Sequence, residues 1–150
     1  MVDSYVGPGT AVAVTRVRWI VWPRVDGLRA LELGSPGEMR ERLNALVLAG
    51  AKRATAGLAQ EYDEEGEALE FVGERLALLD SAGERVATVE VTGVTTHRFV
   101  DVPWEFALAE GEGDESLDEW RDGHRRYWRD IEGRPVTDDS PVVCLRFRLV

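Results

Sequence analysis

The alternation of apolar and polar positions predicts a chain in which several extended segments accompany two main helices. Residues 11–22 are rich in Val, Ile and Trp and predict a first strand, and Leu28 to Leu33 predicts a second, shorter extended piece. Ser81, Ala82 and Gly83 separate two later apolar runs and are typical of a hairpin loop. The remaining extended segments are predicted at Glu74–Asp80, Arg85–Val94, His97–Val102 and Pro141–Val150.

The first helix is marked at both of its ends. Ser35 and Glu38 form an S-x-x-E capping box, and Pro36 suits the first helical position. Gly50 is a favourable residue for ending a helix, so the helix is predicted to span roughly residues 36–49. Its apolar face consists of Met39, Leu43, Leu46 and Val47.

A second helix is predicted from Ser116 to Gly133. Ser116 and Glu119 form another S-x-x-E box at its start. Between the two helices, residues 60–67 are acidic and turn-like, and a short helical turn is predicted from Pro103 to Ala109. The apolar stripe of the second helix consists of Leu117, Trp120, His124, Tyr127 and Ile131.

The order of these elements predicts an α+β fold with a curled antiparallel sheet and helices at its ends. A chain of 150 residues, of which 44% are hydrophobic, has enough apolar material for one domain. No apolar run reaches the length of about 18 residues that a membrane-spanning helix needs. The segment MVDSYVGPGT lacks the basic start of a signal peptide, and the single cysteine, Cys144, excludes an internal disulfide. We therefore expect a cytoplasmic protein.

The charge of the chain limits its partners. The net charge is −10, whereas proteins that rely on many phosphate contacts are usually basic. Broad, sequence-independent nucleic-acid binding is therefore disfavoured, although a local basic surface stays open. The one dense basic patch consists of Arg121, Arg125, Arg126 and Arg129.

Lys52 is the only lysine among the 18 basic residues, and every other one is arginine. Arginine keeps its proton in proteins, whereas a buried lysine can release one. A single lysine in an arginine-rich chain is what a required proton acceptor or point charge would look like. A compositional bias toward arginine that left one lysine by chance explains the same observation.

Lys52 also belongs to a G-x-K-x-x-T run with Gly50 and Thr55. A lysine near a threonine hydroxyl can act as a base or as an electrostatic anchor. The alternative is a helix C-terminus that carries a favourable cation near its dipole. The residues by themselves leave both interpretations open.

The sequence EGEGD, from Glu110 to Asp114, holds three carboxylates separated by glycines. It does not match an EF-hand, because Arg121 stands at the twelfth position, where that loop requires glutamate. A Mg²⁺ or Mn²⁺ site with fewer ligands stays open, although no His or Asp cluster supports it. The other interpretations are a catalytic carboxylate on tight backbone and a solvated acidic turn before a helix.

Aromatic and basic side chains alternate in the second helix. Trp120, Arg121 and Tyr127 form a pattern in which an aromatic platform beside arginine can stack a base and contact a phosphate. Core packing is the alternative explanation, because Trp120 and Tyr127 lie on the apolar stripe. His124 shares that stripe, where a hydrogen-bonded core histidine is more common than a catalytic one.

Taken together, these motifs resemble the ASCH family. The run ELGSPGEMRERLNALVLAGAKRATAGL, Glu32 to Leu58, is similar to the family's helix and G-x-K-x-x-T motif. The run FVDVPWEFALAEGEGDESLDEWRDGHRRYW, Phe99 to Trp128, is similar to its acidic motif and W-R-x-x-H helix, and PVVCLRFRLV is similar to its closing strand. The likeness covers residues 27–150, which are expected to form the domain. Residues 1–26 are left as an N-terminal extension with the first strand.

The resemblance implies a PUA-like curled antiparallel β-barrel with two main helices at its ends, and PUA domains bind RNA. Some family members are amidohydrolases that remove the acetyl group from acetylated cytidine, and others are reported as ribonucleases. In the amidohydrolases the lysine and threonine of K-x-x-T and a glutamate of the acidic motif are catalytic. Matching the motifs places these roles on Lys52, Thr55 and Glu112.

The resulting hypothesis is an amide hydrolase that acts on a small modified nucleoside, with Thr55 as nucleophile, Lys52 as proton acceptor and Glu112 as proton donor. The alternatives are a non-catalytic reader of RNA or of a modified base, a ribonuclease, and an adaptor domain without pocket chemistry. The expected partner is a nucleoside-like ligand or single-stranded RNA, no metal or cofactor is predicted, and the oligomeric state is left open. Further ligand contacts are predicted from Arg53, Asp114, Trp120, Arg121 and His124.

Overall fold

The computed structural model describes residues 22–150. The strand predicted over residues 11–22 lies outside the described residues except for Trp22. None of the helices in this part of the chain is long and apolar enough to cross a membrane. The strands are β1 (Arg24–Val25), β2 (Leu28–Leu31), β3 (Ala54–Leu58), β4 (Arg75–Leu79), β5 (Arg85–Arg98) and β6 (Pro141–Leu149). The α-helices are α1 (Glu38–Leu48), α2 (Ala59–Glu65), α3 (Trp104–Glu110) and α4 (Leu117–Arg126), with a 3₁₀ turn at Phe99–Asp101 and a π-helical turn at Tyr127–Ile131.

The six strands between residues 22 and 150 form one sheet in the order β1-β2-β4-β5-β6-β3. The expectation of an antiparallel sheet is wrong at one pair, because β2 and β4 run parallel. The chain leaves β2, passes through α1, β3 and α2, and returns as β4, and this crossover is the kind of connection that a parallel pair requires. The outermost strands β1 and β3 do not pair with each other. The sheet is therefore open, and the predicted barrel is not confirmed.

The long strand β5 replaces two predicted strands. It continues through Thr95 and Thr96, which pair with Cys144 and Val143 of β6. An irregularity in the register near Gly93 lets the strand bend while it keeps its partner. The segment predicted as a strand from His97 to Val102 ends instead in the 3₁₀ turn.

The two faces of the sheet carry separate apolar clusters, and β6 contributes to both. On one face Leu145 packs in a cluster with Val47 of α1, and on the other face Cys144 packs in a cluster with Trp120 of α4. Most of this inner strand is therefore covered on both faces, and its buried residues do not alternate with exposed ones. Leu149, at the end of the strand, is 43% exposed.

The start of α1 differs from the prediction. Gly37 is the N-cap residue, and it makes no side-chain capping bond, so the predicted capping box of Ser35 and Glu38 does not form. The Ser81 hydroxyl, from the β4–β5 hairpin, instead accepts a hydrogen bond from the Gly37 N–H at 2.8 Å. A residue distant in sequence thus replaces the local cap.

The end of α1 follows the prediction. Gly50 adopts a φ of 80°, and its N–H donates to the Val47 carbonyl, while the Ala51 N–H donates to the Leu46 carbonyl. These two bonds form a Schellman motif, which satisfies the last carbonyls of the helix and reverses the chain. The residue that follows the motif is Lys52.

The prediction for residues 60–67 is wrong, because most of this acidic segment forms α2. Glutamate and glutamine favour helices, and Gly66 in the left-handed region ends this one. Tyr62 supplies the buried anchor of the helix. Arg134 reaches the helix from outside and forms ion pairs with Glu61 and Glu64 at 3.3 and 2.6 Å.

The second main helix begins as predicted. The Ser116 hydroxyl accepts from the Glu119 N–H at 3.1 Å, and the Glu119 carboxylate accepts from the preceding Glu115 N–H at 2.8 Å. The π-helical turn then adds a residue to the repeat and shifts the apolar stripe. As a result Trp128 is buried, whereas the predicted stripe residue Ile131 is 59% exposed.

Gly111 lets the chain after α3 approach the turn after α1. It has a φ of 65°, and a Cβ atom there would collide with the Ala51 carbonyl group. The neighbouring Ala109 carbonyl accepts a hydrogen bond from the Arg53 N–H at 2.8 Å. This close approach brings residues 109–112 beside Lys52.

We expect Gly111→Ala to be more destabilising than Gly113→Ala. Gly113 has a φ of 93° and open space where a Cβ would lie, so its substitution costs about 1–2 kcal/mol of left-handed strain alone. Gly111→Ala adds a backbone collision, for which a further cost of about 1–3 kcal/mol is expected. Urea denaturation of both variants measures the difference. Equal losses would mean that the close approach has little energetic weight.

Candidate functional site

A cavity of about 440 Å³ lies where the two sides of the open sheet fail to meet. Ala30 and Leu31 of β2 line one wall, and Thr55, Ala56 and Gly57 of β3 line the opposite wall. Residues from α1, α2, α4 and the segment after α3 also line it. The cavity is thus a consequence of the sheet topology.

Lys52 is the buried charge of this cavity, with its side chain only 1% exposed. Its Nζ donates to the Ala54 carbonyl at 2.7 Å and to Glu112 Oε2 at 2.6 Å. Glu110 offers two further acceptors, Oε2 at 3.3 Å and its carbonyl oxygen at 3.5 Å. Oxygen atoms of the protein therefore surround the Lys52 amine in place of solvent. A buried charge requires such partners, because it is costly to remove from water without them.

Glu110, whose side chain is 2% exposed, is the second buried charge. Its Oε1 accepts from Trp120 Nε1 at 2.5 Å and lies 3.1 Å from His124 Nε2. Burial raises the pKa of Glu110, but the charges of Lys52 and His124 and the two hydrogen bonds outweigh it and leave the pKa below its ordinary value of 4.5. Glu110 is therefore a carboxylate that links three elements.

Glu110 was not predicted as a site residue. It ends the short helix α3, whose other inward residues Phe106 and Ala107 are apolar and buried. A glutamate on such a face, with Trp and His at positions i and i+4 of the next helix, is the pattern from which its role could have been found. The resemblance to the ASCH motifs instead placed the carboxylate role on Glu112.

His124 supports Glu110. Its Nδ1 lies 2.9 Å from the Trp120 carbonyl, and since a carbonyl oxygen only accepts, Nδ1 carries a proton. The ring stacks on the Trp120 indole with the centroids 4.0 Å apart. Burial lowers the pKa of His124, but the charge of Glu110 and the hydrogen bonds to Glu110 and Trp120 reverse this and raise it above 6.5.

The structure brings several of the predicted residues to the cavity. The cavity is lined by Lys52, Thr55 and Glu112. These residues come from the turn after α1, from β3 and from the segment after α3, respectively. Glu112 is 21% exposed, so its carboxylate is accessible in a way that Glu110 is not. Asp114 and His124 also line the cavity, and burial raises the pKa of Asp114.

Three other predicted contacts lie away from the cavity lining. Arg53 is exposed and follows Lys52 with its side chain on the outside. Trp120 is fully buried in the second apolar cluster. Arg121 donates to the Val100 carbonyl at 3.0 Å, so its guanidinium is engaged on another part of the surface. Their roles as ligand contacts stay predictions.

A second group of carboxyls lines the wall formed by α2 and the π-helical turn. Glu61 and Glu132 both line this wall, and burial together with the charge of Glu132 raises the pKa of Glu61 to about 7. Tyr62 donates to Glu70 at 2.9 Å on the same wall. No group of three or more His, Cys, Asp and Glu side chains within residues 22–150 is arranged to hold a metal ion.

Comparison with known proteins agrees with the sequence motifs. A family model described as the ASCH domain matches residues 29–150. This chain belongs to the ASCH family. The ASCH family has a PUA-like fold that is associated with RNA binding. No curated protein matches the chain.

Two solved structures support the assignment. An ASCH domain from Lactobacillus crispatus JV V101 is 28% identical, with a TM-score of 0.70 over 80% of this chain and 77% of that chain. A protein from Enterococcus faecalis V583 is 30% identical, with a TM-score of 0.70 over 79% of this chain and 74% of that chain. Since both likenesses cover most of each chain, this ASCH domain shares the main part of its architecture with them.

We expect Glu110→Gln to destabilise this ASCH domain more than Glu112→Gln. Removing one partner of a buried ion pair costs about 3–5 kcal/mol, and Glu110 is the buried partner of Lys52, with the other oxygen tied to Trp120 and His124. Glu112 is partly solvated, so water can compensate for its loss. Thermal and urea unfolding measure both variants, and a larger loss for Glu112→Gln would reverse the assignment of the structural carboxylate.

We expect Glu61 to make the domain less stable as the pH rises toward neutrality. Its pKa is about 7 in the folded chain, against an ordinary value of 4.5 for the side chain in an unfolded one, so the folded state holds its proton more tightly. This contribution is complete below pH 4.5 and is lost as the pH rises through 7. The unfolding free energy of Glu61→Gln should fall less over that range than that of the exposed control Glu84→Gln. Parallel pH profiles for the two variants would contradict the assignment.

Proposed function

We propose that this ASCH domain binds a small modified nucleoside in the cavity and hydrolyses an amide C–N bond of it, such as the bond that joins an acetyl group to cytidine. The observation that carries the proposal is that Lys52, Thr55 and Glu112 line one cavity of about 440 Å³. A buried amine, a hydroxyl and a partly exposed carboxylate are the groups that acyl transfer needs. The volume suits a nucleoside-sized ligand.

The chemistry depends on the 2.6 Å contact between Lys52 Nζ and Glu112 Oε2. Transfer of one proton across this contact leaves an amine on Lys52 and a carboxylic acid on Glu112. The amine accepts the proton of the Thr55 hydroxyl while the Thr55 oxygen bonds to the amide carbon. The carboxylic acid then gives its proton to the leaving nitrogen as the C–N bond breaks. Water hydrolyses the resulting ester and restores the Thr55 hydroxyl.

Glu110 and His124 hold this machinery in position. Glu110 Oε2 contacts Lys52 Nζ, and Glu110 Oε1 is held by Trp120 and His124. With both oxygens engaged, Glu110 has no free acceptor for a ligand. We therefore assign it, with His124, a positioning role, and we assign the proton transfers to Lys52 and Glu112.

The charges around the cavity and on α4 favour a small ligand over a long RNA. Carboxyls outnumber basic groups in the cavity lining, which disfavours phosphate there. The basic patch predicted for RNA is largely neutralised, since Arg121 pairs with Asp118 and Arg125 with Asp122, each at 3.3 Å. Arg129 pairs in the same way with the adjacent aspartate at 2.6 Å. Binding of single-stranded RNA, with or without cleavage, remains the alternative that the family's association with RNA suggests.

We expect the protein to release cytidine and acetate from N4-acetylcytidine. Chromatography of the reaction mixture measures the cytidine that is formed. Lys52→Met, Thr55→Val and Glu112→Gln should each lower the rate by about 10²–10⁴, the usual contribution of a general acid, base or nucleophile. Thr95→Val is the matched control for the lost hydroxyl, because Thr95 is exposed on β5 and lies outside the cavity lining. Its rate should equal that of the unchanged protein.

Two results would contradict the proposed function. Equal rates in Thr55→Val and Thr95→Val would exclude Thr55 as the nucleophile. Absence of turnover, together with oligoribonucleotide binding that weakens steeply with salt and depends on Arg125 and Arg126, would favour the RNA-binding alternative.

A further inference from the structure

Along the edge of β3 beside the site, some main-chain groups have no hydrogen-bond partner among residues 22–150. In the sheet that residues 22–150 form, β3 is an outer strand, and its one partner strand there is β6. Residues of an antiparallel pair alternate between those that bond to the partner strand and those whose N–H and C=O point away from it. The phase of this alternation decides which residues of β3 present their main chain to the cavity side.

Two contacts determine that phase. The Phe147 N–H donates to the Arg53 carbonyl at 3.0 Å, so Arg53 is a residue that bonds toward β6. Ala54 is then directed the opposite way, and its carbonyl indeed accepts from Lys52 Nζ at 2.7 Å. Continuing the alternation, Thr55 opposite Leu145 bonds to β6.

Ala56, opposite Cys144 in the register, is therefore the next residue whose N–H and C=O point outward. Its side chain packs against the second apolar cluster, yet the residue lines the cavity. Within residues 22–150, neither its N–H nor its carbonyl has a partner among the backbone and side-chain hydrogen bonds. One donor and one acceptor thus lie side by side at the cavity wall, one residue from the Thr55 hydroxyl.

We infer that the Ala56 N–H and carbonyl form hydrogen bonds to the edge of the ligand, in the way that one β-strand bonds to its neighbour. The complementary chemistry is a planar heterocycle that presents a ring-nitrogen acceptor next to an N–H donor, as amino-substituted pyrimidines and purines do. This inference rests on the proposed function in one respect, namely that the ligand is a nucleoside. It adds the atoms that orient the base, which the catalytic groups by themselves do not specify.

A proline at position 56 tests this directly. Ala56→Pro removes the N–H that faces the cavity, and the β3–β6 ladder keeps its bonds because that N–H is not part of it. Ala56→Gly is the matched control, since it keeps the N–H and loses only the methyl group. Both are placed in the Thr55→Val background, so that equilibrium binding is measured without turnover.

Calorimetric titration with cytidine and with 3-deazacytidine, which lacks the ring acceptor but keeps the amino group, gives the readout. We expect Ala56→Pro to bind cytidine at least tenfold more weakly than Ala56→Gly, and both variants to bind 3-deazacytidine with equal, weak affinity. Only a loss confined to the ligand with the acceptor shows that the two groups contact each other.

The protein with Ala56 unchanged provides a second test that does not depend on the folding of the proline variant. Equal affinity of the Thr55→Val protein for cytidine and 3-deazacytidine, or no binding of cytidine, would overturn the inference. Selective cytidine binding by a protein that fails to hydrolyse acetylcytidine would remove the proposed reaction and leave this recognition in place.

Discussion

The site depends on the cost of burying the Lys52 ammonium. A charged amine removed from water is strongly destabilising unless other oxygens replace the water around it. Here the replacements come from β3, from the last residue of α3 and from the segment after α3, 2 to 60 residues away along the chain. The charge therefore holds the turn after α1 against residues 110–112. If either segment moved away, the Lys52 ammonium and its carboxylate partners would lose each other as partners.

The two glutamates around Lys52 differ in environment, and this difference is the basis for the separate roles that we propose for them. Glu110 is almost completely buried and has both oxygens engaged by Lys52, Trp120 and His124. Glu112 makes the shorter contact with Lys52 but keeps access to the cavity. A carboxylate that is fully hydrogen-bonded favours a fixed charge, whereas a partly solvated one can exchange a proton with a ligand. One lysine thus pairs with a fully buried carboxylate and with an accessible one, and the proposed reaction uses the accessible one.

The open sheet creates the space in which these charges act. Its inner strands are covered by an apolar cluster on each face, while β2 and β3 remain unpaired with each other. An unpaired edge is usually a hazard, because it invites pairing with another chain. Among the described residues 22–150, the edge of β3 instead faces a cavity that is partly lined by helices. The same feature that prevents closure of the barrel supplies main-chain groups to the site.

Features that depend on a few neighbouring residues were predictable from the sequence alone. These include the Ser116 cap, the end of α1 at Gly50 and the strands β4 and β6, because capping, turn and alternation signals act over about four residues. The motif resemblance also selected Lys52, Thr55 and Glu112, which share the cavity.

Only the tertiary structure decided the remaining features, since each depends on contacts between distant segments. The parallel pairing of β2 with β4, the cover on both faces of β6 and the helical state of the acidic segment 59–65 follow from what packs against them. Glu110 became central because α3 and α4 place it between Lys52 and His124. The sequence pattern around Glu110 marks it as a candidate, but it does not predict the contact with Lys52. The free energy of that contact arises from burying charges that the chain brings together only when it folds.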